Sequence, residues 1–385
     1  MSVSPLPLST TIPFARPHID ASDVEAVTRV LTSGWITTGE ECLNLEAELA
    51  AFTGAREVVS VSSCTAALEL AFRSLRLAPG ARVGVPTWTF LASATAPLST
   101  GAVPVLLDVD PCTLNLSPDA VAAALPTLDA LVVVHFGGTP IDRRIFEMAA
   151  AADVPVVEDA AHALGASDHR GPIAGRGTVG ACFSFYATKN FTSAEGGAFV
   201  TDDPDRAEFV RSQRLHGLST DAWSRYRPGA RPSYDIIEPG LKANLPDLLA
   251  ALLRSQLARA GTLQALRRER VREYHHLLTD VPGVVTVPGT LDERSADHLM
   301  VVLLPSGIDR STVVDALAAQ GIGTSIHFKP LHHMRWFADN TEVGPTGVGG
   351  ADLAADRALS LPLHPNLASA DVEHVVSALD AALRG

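Results

Sequence analysis

At 385 residues the chain is long enough for two or three domains, at roughly 150 residues each, and for a sizeable core without covalent staples. Its 43 Asp and Glu outnumber 30 Lys and Arg, a formal charge of −13 that argues against a nucleic-acid partner, while 46% hydrophobic residues argue against disorder. No apolar run approaches the ~18 residues of a membrane span, the start MSVSPLPLSTTIPFARPHID lacks the charge and apolar run of a secretory leader, and four scattered cysteines without a CxxC pair suit a reduced, cytoplasmic protein.

In chain order, Asp20–Gly34 has apolar residues at helical spacing and a Gly stop. NLEAELAAFTG reads as a second helix ending at Gly54, and EVVSVSS as a short β-branched strand. TAALELAFRSL begins a helix just after Ser62, Ser63 and Cys64. ARVGVPTWTF is extended, ASATAPLSTG helical and AVPVLLDVD extended. Four further extended runs are DALVVVHFGG, DVPVVEDA, ACFSFYAT and GGAFVTDD. Strands alternating with helices predict an α/β fold, a mostly parallel sheet covered on both faces. Arg225–Gly240 is rich in Pro and Gly and reads as a loop. From Leu245 to about Leu278 the pattern is strongly helical. The rest reads as strand HLMVVLLP, helix DRSTVVDALAAQGI, strand GTSIHFKPL and a terminal helix DVEHVVSALDAALR. The expected organisation is a large domain over 12–244, a connecting helix over 245–280 and a small α+β domain over 281–385, with the N-terminal residues packed on the small domain or on a partner subunit.

The chain has only three lysines, Lys189, Lys242 and Lys329, so nearly all positive charge is Arg. Arg serves for solvation and ion pairs, but only a lysine amine can lose its proton on desolvation and attack a carbonyl. Lys189 follows the extended run ACFSFYAT, close to Ser184. About thirty residues upstream, VPVVEDAAHALGA delivers Glu158 and Asp159 at a strand end, where open α/β sheets place ligand groups, and His162 follows. Of the two carboxylates, Glu158 reads as structural. A lysine, a carboxylate and an imidazole at strand ends suit imine chemistry. Pyridoxal phosphate requires a lysine, a carboxylate for its pyridine nitrogen, an aromatic ring against its face and a helix start for its phosphate. Thr65 and the N–H of Ala66 open such a helix, and Trp88 follows a strand.

These segments, from IPFARPHID and GWITTGE through SSCTAAL, VPTWTFLASA, HFGGTPID, VVEDAAHALGA, FSFYATKNFTSAEGG, GLKANLPDLLAA and GIGTSIHFKPLH to LSLPLHP, resemble in order the DegT/StrS-type nucleotide-sugar aminotransferases. The resemblance spans nearly the whole chain. It implies the fold-type-I, aspartate aminotransferase-like architecture and pyridoxal 5'-phosphate bound covalently at Lys189, with pyridoxamine phosphate formed during turnover. It further implies that Asp159 pairs with the pyridine nitrogen, that His162 lies against the ring or its 3-hydroxyl, and that Trp88 stacks on the ring. Thr65, Ala66 and Ser184 would bind the phosphate, and Asn244 would reach it from the neighbouring subunit of a homodimer. Cys64 stands where the family often has Gly, and Ala243 where an aromatic is usual. The implied reaction moves an amino group from an amino acid, usually glutamate, to a keto-sugar nucleotide. Alternatives are amination of a keto-cyclitol and, from another class, a cofactor-binding regulator without turnover. The family's dehydratase branch carries His in place of the lysine, which Lys189 argues against.

Lys242, His327, Lys329 and His332 are expected to face substrate. In HFKPLHH no carboxylate or Cys partner stands at convincing metal-ligand spacing, so no metal is expected. Gly175–Gly180 satisfies GxGxxG, but a loop precedes it and a strand follows, the reverse of a dinucleotide loop.

Overall fold

The computed structural model describes residues 11–219 and 235–384, so the loop expected over Arg225–Gly240 lies outside the described residues as far as 234. Its strands are β1 (Glu57–Val61), β2 (Arg82–Pro86), β3 (Val103–Leu107), β4 (Ala130–Val134), β5 (Val156–Asp159), β6 (Ser167–Asp168), β7 (Gly171–Pro172), β8 (Gly180–Ser184), β9 (Gly197–Thr201), β10 (Val285–Val287), β11 (Met300–Leu303), β12 (Glu342–Val343) and β13 (Ala358–Leu361). Eight of them form one sheet in the order β1-β9-β8-β5-β4-β2-β3-β12. Only β9 runs against the rest, pairing antiparallel with both β1 and β8. The expected mainly parallel sheet is present. β4 is buried at all five positions, as a parallel strand covered on both faces must be.

Alternation along each strand sorts the core. Val83, Val85, Val132 and Val157 face the layer made by Leu68 and Phe72 of helix Cys64–Leu75. Leu131, Val133 and Val156 face the opposite layer, with Val121 and Ile145. Further along that side, Phe183 and Val200 meet Leu45, Leu49 and Leu253. Each such fully buried side chain contributes about 1.5–3 kcal/mol of transfer free energy.

A second, antiparallel sheet, β10-β11-β13, packs Met300, Val302, Leu359 and Leu361 against Tyr274, Val313, Leu317, Val375 and Leu379. This is the smaller α+β unit. Its boundary is not the clean cut at 281 that the sequence suggests. β12 crosses back to pair in parallel with β3 at the edge of the large sheet, and Ile12 bridges Ile322. The connecting helix is two helices, Asp247–Ala258 and Ala260–Leu278, broken where Arg259 leaves helical geometry at φ −108° and ψ 12°. The expected strand GTSIHFKPL makes only one bridge, Ser325 to Ser360, so it runs past the small sheet instead of joining it. Gly175–Gly180 turns from β7 into β8 and opens no helix.

A buried ionic network ties the first strand to its surroundings. Arg214 Nη1 donates to Glu46 Oε1 at 2.5 Å and to the Ser60 carbonyl at 2.6 Å, and Glu46 also accepts from the Ser60 amide. Removing one partner strands a charge in the interior. Arg214→Ala is therefore expected to lower unfolding free energy by about 3–5 kcal/mol in denaturant titration.

Candidate active site

A cavity of about 520 Å³ opens at the carboxyl ends of the parallel strands. Strand β5 aims two carboxylates at opposite faces of the sheet. Glu158 is fully buried and takes His135 Nε2 at 3.0 Å, Arg170 Nη2 at 3.0 Å and Thr178 Oγ1 at 2.8 Å. Burial alone would raise its pKa, but His135 and Arg170 hold it below the usual carboxylate value. These partners make Glu158 structural. Asp159, one residue on, lines the cavity. Its Oδ2 accepts from Ser93 Oγ at 2.6 Å and its Oδ1 from the Ala161 amide at 3.1 Å. Ser93 is itself held by Thr89 Oγ1 at 2.7 Å. This relay sets the carboxylate's orientation.

Lys189 sits in the turn after β8, its amide bonded to the Tyr186 carbonyl at 2.9 Å. Neighbouring Asn190 is pinned to the Ala296 carbonyl at 2.6 Å, and Phe191 is buried. Burial lowers the Lys189 pKa to about 8, against the partial opposition of Cys64 and Asp159. An amine with this pKa is substantially neutral at mildly alkaline pH, which is what a nucleophile or base requires.

His162 lines the same cavity. Its Nδ1 accepts from the Gly137 amide at 3.3 Å, which assigns the proton to Nε2. Burial, then Lys189, hold it well below the ordinary histidine value, so the ring is neutral. Two more imidazoles stand beside it. His298 lies 4.3 Å away between ring centroids, bonded through Nδ1 to Asn190 Oδ1 at 2.9 Å. His327 is bonded through Nδ1 to Ser360 Oγ at 2.9 Å, and burial followed by Lys189 lowers its pKa to about 4.

At the other end of the cavity stands the start of helix Cys64–Leu75. Ser63 caps it, accepting from the Ala66 amide at 3.1 Å. The Ala66 N–H expected to meet a phosphate is thus taken by the cap. Thr65 and Ser184 do line the cavity. The close approach of this turn to the sheet depends on Gly197, where a Cβ would fall 2.4 Å from the Ser63 carbonyl carbon. The Cys64 side chain is accommodated by packing inward, Sγ 3.2 Å from the Cys182 carbonyl.

Trp88, Lys329 and His332 stand elsewhere than expected. Trp88 does not line the cavity; it is fully buried in an apolar cluster with Val109, Phe136 and Leu299. Phe90, two residues on and half exposed, lines the cavity instead. Of the four side chains expected at substrate, His327 lines the cavity, whereas Lys329 is exposed outside it and His332 turns to Thr87 and Asp352. Lys242 is exposed and bonded to Asn244, whose side-chain amide donates to Thr38 at 2.6 Å; neither lines the cavity of its own chain. His298, Phe328 and Tyr186 were not singled out from sequence. His298 opens the run HLMVVLLP, and a histidine at the head of an apolar strand was the available signal.

Ser93→Ala removes a hydrogen bond to a charged group, worth about 1.5–3 kcal/mol. We expect turnover at saturating substrate to fall about 10- to 100-fold, with cofactor binding retained, measured by steady-state kinetics.

The model of the DegT/DnrJ/EryC1/StrS aminotransferase family matches residues 17–380. Among solved structures, the chain is similar to the aminotransferase TlmJ from Streptoalloteichus hindustanus, at 32% identity and a TM-score of 0.87 over 97% of this chain and 99% of that one. It is similar to the sugar aminotransferase CalS13 from Micromonospora echinospora, at 29% identity and a TM-score of 0.84 over 96% and 99%. Spr1654 from Streptococcus pneumoniae, solved in PLP and PMP forms, aligns in its PLP form at 28% identity and a TM-score of 0.86 over 97% and 99%.

Proposed function

Since the chain belongs to the DegT/DnrJ/EryC1/StrS aminotransferase family, we propose that it uses pyridoxal phosphate to move an amino group from glutamate to the keto-sugar of a nucleoside-diphosphate sugar. The observation that carries this reading is the meeting of buried Lys189, Asp159 and a helix start in one strand-end cavity, where burial lowers the lysine's pKa. Those residues fit the cofactor: a deprotonatable amine for its aldehyde, a carboxylate for its ring nitrogen and a helix start for its phosphate. When bound, pyridoxal phosphate supplies a carbonyl that exchanges amines and a ring that accepts an electron pair.

Each protein group has a task. Lys189 would hold the cofactor through its amine, and the same Nζ would carry a proton to and from substrate carbon. Asp159, oriented by Ser93, favours the protonated ring nitrogen. Neutral His162 offers its Nε2 proton as a donor beside the ring, and Phe90 supplies the aromatic face. Thr65, Ser184 and the N–H groups of Cys64 and Thr65 at the helix start would receive the phosphate. His327 stands where substrate enters. Asn244 completes the phosphate site of the neighbouring subunit, so the active species is a homodimer. That Asn244 stands outside the cavity of its own chain supports this reading. Action in the cytoplasm is supported by the cysteines at 42, 64, 112 and 182 all being free thiols.

The test has two halves. Glutamate should convert the holoenzyme to the amine-loaded cofactor, read by loss of visible absorbance. That form should then regain absorbance with a nucleoside-diphosphate keto-hexose from a panel that also contains keto-cyclitols. Recovery with keto-cyclitols alone would reassign the acceptor. No change with any amino acid would leave a binding protein without turnover.

A further inference from the structure

Outside the cavity, one cluster of metal-binding side chains is built more firmly than a chance surface group. His332 and His333 end the turn Leu331–His333, and Asp352 lies on helix Gly349–Ala355. Nε2 of each histidine lies 2.8 Å from the same Asp352 Oδ1. We propose that His332, His333 and Asp352 bind one divalent transition-metal ion of the zinc class.

The donor set is right for such an ion: two imidazole nitrogens and one carboxylate oxygen, leaving a position for water. The three ligand atoms all lie within 4.8 Å of one another. A tetrahedral ion with bonds of about 2.0–2.1 Å needs them a little over 3 Å apart. The 2.8 Å from each Nε2 to Oδ1 is about half an ångström short of that, and His333 and Asp352, both exposed, have room to open it.

Each ligand stands on a fixed support. The Leu331 amide is bonded to the Thr87 carbonyl at 2.8 Å, and Leu331 is fully buried. The helix bearing Asp352 is held at its start by Asp108, which accepts from the amides of Gly350 at 2.8 Å and Ala351 at 2.9 Å. Gly350 is pressed so close that a Cβ would meet the Val109 carbonyl at 2.2 Å. The outer contact a metal-bound histidine needs is also present. His332 Nδ1 lies 2.6 Å from Thr87 Oγ1, and donation there leaves the Nε2 lone pair for a metal.

None of the three ligands lines the cavity, so the ion takes no part in chemistry there. Its role is a clamp. It joins a turn and a helix of the C-terminal part to Thr87, just beyond β2, three residues before cavity-lining Phe90. The sequence hides this site because the carboxylate lies twenty residues beyond His332.

The test uses the holoenzyme, stripped with chelator and dialysed, then titrated with zinc against a chromophoric indicator. Wild-type protein should bind one equivalent per chain, and its thermal midpoint should rise with zinc. His333→Ala and Asp352→Asn should each weaken that binding at least about tenfold and abolish the midpoint shift, while transamination without zinc is unchanged. Cys112→Ser, which removes the exposed thiol, should bind as wild type. Failure of wild type to bind zinc at micromolar concentration overturns the proposal, as does equal binding by both ligand variants.

Discussion

Lys189→Ala should fold and assemble as the wild type does, yet lose transamination by at least about 10⁴-fold, the upper end of what general acid–base catalysis supplies. Lys242 and Lys329 are the chain's remaining lysines, and neither lines the cavity. Rate measurements with the proposed pair, glutamate and a keto-sugar nucleotide, give the loss. Borohydride reduction of the wild type, followed by peptide mapping, should place the label at residue 189. The pH dependence has a definite sign. Burial favours the neutral amine and lowers the pKa to about 8, so reactivity must be low below that pH and rise through it. In cofactor-free enzyme, modification of the Lys189 peptide by an amine-selective reagent should be half-maximal near pH 8. A titration near the ordinary value of 10.5 would show that burial does not depress the amine in the cofactor-free enzyme.

Asp159→Ala should be the next most damaging change, slowing both half-reactions about 10²- to 10³-fold, the usual effect of removing one preorganised electrostatic partner. Cofactor affinity should fall with it, measured by equilibrium dialysis. The comparison with Ser93→Ala separates charge from orientation. Removing Ser93 leaves the carboxylate in place but frees Oδ2 of its 2.6 Å bond, so the rate should fall less and affinity hardly at all. If Asp159→Ala turned over at the wild-type rate, the carboxylate would not be the partner of the ring nitrogen.

How much of this was legible before folding differs from residue to residue. Strand β5 was legible as an apolar run ending in two carboxylates, and period-2 alternation explains why Glu158 and Asp159 face opposite ways in the fold. The helix start after Ser62, Ser63 and Cys64 was legible, but the capping bond from the Ala66 amide to Ser63, which removes that N–H from phosphate binding, is seen only in the fold. The aromatic was misassigned for a related reason. Trp88 and Phe90 both follow β2, and both lie in a stretch that reads as extended. Burial decides between them: a cluster with Phe136 and Leu299 encloses Trp88, while Phe90 lies beyond it at the cavity.

The amino-acid order by itself determined the alternation of strands and helices, the placing of Asp159 and Lys189 at strand ends, and the scarcity of lysine that set Lys189 apart. These are local properties, governed by side-chain periodicity and by what an amine can do that a guanidinium cannot. Tertiary structure alone decided that His298 and His327 gather with His162 around one amine, that β12 returns to the edge of the large sheet, and that Asp352 meets His332 and His333. Those meetings join residues far apart in the chain, and they depend on how packed layers come to rest against each other, which no spacing along a single strand or helix records.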